Sequence, residues 1–167
     1  MPVLKYLRYL LKHKWFVAIE CFKRGLYWHG VVHDMSKFLP NEFFPYVNFF
    51  YGKDSKQESR ESRYQSINSA QRYFQRAWQK HLMRNKHHWQ NWLNVQDAGT
   101  QVVLEMPKKH VVEMVCDWIG AGRAQGYYNS EKPMEEVNNW YAKNFKRITL
   151  HPSTQFLVEE ILEVINE

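Results

Sequence analysis

Cysteine is scarce in this chain. Cys21 and Cys116 are the only two among 167 residues, with no CxxC pair. No disulfide framework can be built from them, and a reducing cytoplasm is the expected setting. Long apolar runs are missing too. The opening stretch MPVLKYLRYLLKHKWFVAIE is apolar, but Lys or Arg interrupts it every few residues. It therefore reads neither as a membrane span nor as a cleavable signal, and a basic helix lying at an interface is the one membrane role left to it. Internal repeats are also lacking.

Aromatic bulk is plentiful, with ten Phe, ten Tyr and seven Trp making 16% of the residues. The apolar share is 44%, a globular composition. The length suits one domain with a real core, and we take 1–167 as a single helical domain. Net charge is +6 and unevenly placed. Lys5, Arg8, Lys12, Lys14, Lys23 and Arg24 precede residue 30, where Glu20 is the only acid, whereas Glu159, Glu160, Glu163 and Glu167 make the end acidic. A positive balance suits an anionic ligand. Nucleic acid fits the same charge, but a small phosphorylated substrate is favoured.

Periodicity predicts helices over 3–24, 41–50, 66–88, 108–121, 133–146 and 152–166. The glycines of GLYWHGVV (25–32) predict a break, followed by a short helical turn that begins at Asp34 or Ser36 and stops before Pro40. The polar stretch 52–66 reads as a loop and a candidate flap. Asp97-Ala98-Gly99, set between apolar runs, predicts a small hairpin within 92–105. Gly120, Gly122 and Gly126 are expected to end the 108–121 helix. The expected fold is all-α with that one hairpin.

Histidine carries the chemistry. GVVHDMSKFLPNEF (30–43) sets His33 beside Asp34, with Lys37 three residues on. Helix capping accounts for Asp34 or Ser36 but not for His33. On the 66–88 helix the apolar stripe Ala70, Phe74, Ala77, Trp78 continues into His81, Asn85 and His88. His87 would point about 100° away if the helix continues. His13 shares a face with Tyr6, Tyr9, Phe16, Val17 and Glu20. His110, Glu113 and Asp117 share a narrow face of the 108–121 helix, opposite an apolar arc; such a face is ordinarily wet.

In chain order these residues are His13, the doublet His33-Asp34, then His81 with His87-His88, then Asp117. That order resembles the HD-domain superfamily of metal-dependent phosphohydrolases. HKWFV, HGVVHDMSKFLPNEF, AWQKHLMRNKHHW and MPKKHVVEMVCDW also look like the blocks of an uncharacterised bacterial and phage family of about this length. Lys80 and Gln90 depart from that family's usual pattern, where a second histidine and a Glu often stand.

The resemblance implies a first divalent metal on His13, His33, Asp34 and Asp117. His81, His87 and His88 would hold a second metal, with Asp34 shared, or contact substrate phosphate. Catalytic roles would fall to Asp34, Lys37 and Glu113, with Glu42 and Glu113 also expected behind the ligands. Lys37, Arg84, Lys86 and Arg123 would neutralise the substrate. The donor set suits one or two ions of Mn, Fe, Co, Ni, Zn or Mg. The implied reaction is hydrolysis of a nucleotide or related phosphate ester by metal-activated water. The alternatives are an HD-type di-iron oxygenase and a non-catalytic metal-containing nucleotide-binding protein. Trp28, Trp89 and Trp118 could stack a base, although a core role is expected for each.

Overall fold

Helix periodicity repeats along most of this chain, and the computed structural model turns it into seven α-helices and one short hairpin among the residues it describes, 1–52, 69–127 and 131–163. The helices are α1 (Pro2–Lys23), α2 (Tyr27–Val32), α3 (Pro40–Tyr51), α4 (Ser69–Arg84), α5 (Lys108–Gln125), α6 (Pro133–Asn144) and α7 (Pro152–Ile161). Strands β1 (Leu93–Val95) and β2 (Gln101–Val103) pair antiparallel, with Asn94 opposite Val102. The all-α reading with a small hairpin holds. The expected flap at 52–66 lies, except for Gly52, outside the described residues.

The chain divides into two compact units, the first formed by 1–12 with 34–85, the second by 13–33 with 86–167. In the first, Tyr6 and Leu10 of α1 are buried with Tyr46, Val47 and Phe49 of α3 and Phe74 and Ala77 of α4. Phe49 and Phe74 stack face to face, 3.9 Å between centroids. The 3₁₀ turn Met35–Phe38 leads into α3.

In the second unit the larger core joins α5, α6 and α7, with Val111, Val115, Ile119, Val137, Val158 and Leu162 all buried. Trp89 and Trp118 pack partly buried against it, as expected. Trp28 does not take its expected core place, since it is 72% exposed.

Two glycine readings change. Residues 27–32 form a helix despite Gly30, because the turn is made at Gly25, whose φ is +74°. Gly30 serves packing instead: a Cβ there would lie 2.9 Å from the Phe22 ring. Helix α5 likewise runs through Gly120 and Gly122 and stops at Gly126, in left-handed conformation with φ 78°. Gly120 allows α5 to approach α1, since its Cβ would meet Val17 Cγ2 at 2.4 Å.

Candidate metal centre

Burial along α1 repeats at Tyr6, Leu10, His13, Val17 and Glu20, one face of a helix. His13 thus points inward one turn before the Val17–Gly120 contact. Asp117 lies three residues before Gly120 on α5, on the same side as Glu113 at i−4. The contact pairs 13–117, 17–120 and 20–123 all advance together, so α1 and α5 run parallel here. The close approach at Gly120 is what brings His13 and Asp117 within reach.

His33 follows the last turn of α2. Lys14 Nζ donates to the carbonyls of Val31 and His33, fixing that end. The result is a triangle of donor atoms. His13 Nε2 lies 3.1 Å from Asp117 Oδ1, His33 Nε2 lies 3.4 Å from the same oxygen, and the two Nε2 atoms are 3.4 Å apart. Ligands about 2.1 Å from one ion sit roughly 3.0 Å apart at right angles and 3.4 Å apart at tetrahedral angles. The triangle matches the face of such a polyhedron.

Glu113 sets the tautomers. It is ionised and can only accept, so the hydrogen sits on Nδ1 of each histidine bound to it. Oε1 accepts from His33 Nδ1 at 3.1 Å and lies 3.3 Å from His87 Nδ1; Oε2 accepts from His29 Nδ1 at 2.8 Å. A neutral imidazole that donates from Nδ1 turns a lone pair outward at Nε2. For His33 that lone pair faces Asp117. Burial works to raise the Glu113 carboxyl, but hydrogen bonds from His33 and His87 hold it well below the usual range. Burial opposes ionisation of Asp117 in the same way, and His13 and His33 overcome it.

His87 joins this group, and His88 only borders it. Helix α4 stops at Arg84, so the 66–88 expectation overran and His87 is not carried to another face. His87 is buried, with its ring 4.5 Å from that of His33 and its Nε2 3.9 Å from Asp117 Oδ2. His88 is half-buried, its ring tilted against that of His87 with 4.1 Å between centroids.

Within the first unit Asp34 and His81 make a second pair. Both are buried, and His81 Nε2 lies 3.2 Å from Asp34 Oδ1. Glu42 Oε2 lies 3.1 Å from His81 Nδ1 and is bonded by Ser36 Oγ at 2.8 Å. Burial would raise Glu42, but His81, Ser36 and Arg84 hold it down. Asp34 is no helix cap: its side chain makes no capping bond, and its φ of 54° is left-handed. Its Oδ2 instead accepts from Lys37 Nζ. Asp is one of the few residues that tolerate this conformation.

The cations expected to meet substrate are mostly engaged. Lys37 is bound to Asp34, and Arg84 to Glu42. Arg123 pairs with Glu20 at 3.2 Å and lies over the Phe16 ring. Lys86 is exposed.

His29 was not anticipated, because its stretch read as a break. As a helix, 27–32 puts His29 four residues before His33 on the same face, and that spacing was the available signal.

Among the described residues no helix is long and apolar enough to cross a membrane. No curated protein and no solved structure matches the chain. A family model described as "Family of unknown function (DUF5662)" matches residues 3–164, nearly the full length, and the chain belongs to that family.

Proposed function

We propose that this protein is a metal-dependent phosphohydrolase acting on a nucleotide or related phosphate ester. The observation that carries the reading is the triangle of His13 Nε2, His33 Nε2 and Asp117 Oδ1, with 3.1–3.4 Å edges. The His33 Nε2 lone pair and the Asp117 carboxylate, directed at each other in a buried space, repel unless a proton or a cation lies between them. A divalent ion there would lower the pKa of a bound water and polarise a phosphoryl oxygen. The chain's own part is to hold the ligands: Glu113 orients His33 and His87, and Lys14 fixes the His33 backbone. The order of the ligands along the sequence, with its HD-domain resemblance, supports phosphate esters as substrates, as does the +6 charge.

The test is elemental analysis of protein purified without chelator, paired with release of inorganic phosphate from a nucleotide panel. His33→Ala and Asp117→Ala should each lose the bound metal and the activity. Native protein without metal, or an active Asp117→Ala variant, would overturn the reading.

One observation favours a second reading, a two-iron oxygenase. The Asp34–His81 pair, backed by Glu42, repeats the donor types of the Asp117 group and would offer two donors to another ion, Asp34 Oδ2 being held by Lys37. Two equivalents of iron with an oxo-bridge absorption would select it; an iron-free, colourless, active hydrolase would exclude it.

A further inference from the structure

Glu113 has two oxygens, and they face different neighbours. Oε1 holds His33 and His87, whereas Oε2 faces His29 and His110. His29 Nδ1 lies 2.8 Å from Oε2 and His110 Nδ1 3.7 Å from it. One ligand atom from each of the three residues lies within 4.8 Å of the others. The two imidazoles meet edge to face, 5.7 Å between centroids, and Trp92 stands 6.1 Å from His110.

The distances differ in meaning. At 2.8 Å His29 makes an ordinary hydrogen bond to Oε2. At 3.7 Å His110 is too far to bond it, and its Nδ1 is buried without a hydrogen-bond partner. Such an atom normally has one. An ion about 2.1 Å from each donor spans the longer distance at a wide but ordinary angle. It accepts the shorter one at roughly a right angle. Two nitrogens and one carboxylate oxygen, with side chains 24%, 17% and 7% exposed, leave open positions toward solvent.

We infer that His29, His110 and Glu113 Oε2 form a separate, solvent-accessible site for one borderline divalent ion of the zinc or nickel type. Mixed imidazole and carboxylate donors select that class over calcium or magnesium. Binding displaces the Nδ1 proton of His29, which leaves to solvent as the ion takes the lone pair. The site stands on different histidines from the centre proposed above and does not depend on its activity.

The experiment uses full-length protein stripped by chelator and titrated with Zn²⁺ alone, reading stoichiometry by calorimetry and proton release by pH-stat. His29→Asn/His110→Asn should bind one equivalent fewer than native protein and release fewer protons. His110→Asn alone breaks no hydrogen bond from Nδ1, so it tests the site with the least risk to folding. Losing a partner that only supports a ligand costs 10–100-fold in affinity, so losing His110 should weaken this equivalent by at least about a hundredfold. Unchanged zinc stoichiometry and affinity in His110→Asn would overturn the inference. His13→Asn/His33→Asn separates the two readings. If it loses an equivalent while His110→Asn loses none, the peripheral site is wrong and the proposed centre survives. The reverse result removes the proposed centre and keeps the peripheral site.

Discussion

The two units repeat one arrangement and balance its charge differently. In each, a buried glutamate accepts from a histidine Nδ1, and the histidine Nε2 faces a second carboxylate. The first unit has Glu42, His81 and Asp34; the second has Glu113, His33 and Asp117. Asp34 also has the Lys37 ammonium against it. Among the described residues every ion-pair partner of Asp117 is an imidazole. A lysine fixed in the chain neutralises the first carboxylate at any metal concentration. The second is left with partners that are neutral when they act as ligands, and an ion is the natural remedy. A buried carboxylate backed only by imidazoles is therefore a better sign of a metal centre than one backed by lysine.

The largest expected effect breaks the first arrangement. Asp34→Asn keeps the residue's tolerance of a left-handed φ but strands Lys37. Removing one partner of a buried pair costs about 3–5 kcal/mol, so metal-free protein should lose about that much in urea unfolding. Asp117→Asn strands no fixed cation, and its metal-free stability should fall by less, about 1–3 kcal/mol for weakened bonds from His13 and His33. Equal losses in the two variants would refute the contrast.

Metal addition sharpens it next. An ion at a thousand times its Kd stabilises by about 4 kcal/mol. Native protein should show that gain as a rise in Tm, and Asp117→Asn should lose the part due to its centre. Glu113→Gln should weaken metal binding by about 10–100-fold, measured by competition with a chromogenic chelator.

Gly120→Ala tests the helix approach that assembles the second group. Helix propensity favours the change by about 1 kcal/mol, but the Cβ would clash with Val17. Overpacking should win, for a net loss of about 1–3 kcal/mol in thermal unfolding. A more stable variant would show that the approach of α1 to α5 is looser than described.

The smallest effect is in acid. Burial would raise the Glu20 carboxyl, but Lys23 and Arg24 hold its pKa below the usual value. A depressed carboxylate stabilises above its unfolded pKa of about 4.3 and loses that contribution as pH falls through the folded value. Glu20→Gln should flatten the acid limb of the stability profile by about 1 kcal/mol or less. The variant lacks that contribution throughout the neutral region, and the two profiles converge as pH falls through the folded value.

Much of the helical fold was legible because apolar spacing repeats every three to four residues. His13 was legible for the same reason, lying on the buried face of α1. His87 was not, because the end of α4 at Arg84 carries no strong stop signal: Asn85 and Lys86 are compatible with further helix. The helix at 27–32 was hidden by Gly30, whose presence reflects the nearby Phe22 ring and not a turn. Glu113 and Asp117 looked like a wet face because nothing in their own helix says which neighbour covers it.

By itself the sequence determined most of the long helices, the hairpin and the supply of imidazole and carboxylate donors, since each depends on residue type and local spacing. Only the tertiary structure decided which carboxylate each histidine meets, and that Glu113 serves His33, His87 and His29 at once. Most of those pairings join residues dozens of positions apart, and they follow from contacts such as Gly120 against Val17 that no local pattern encodes.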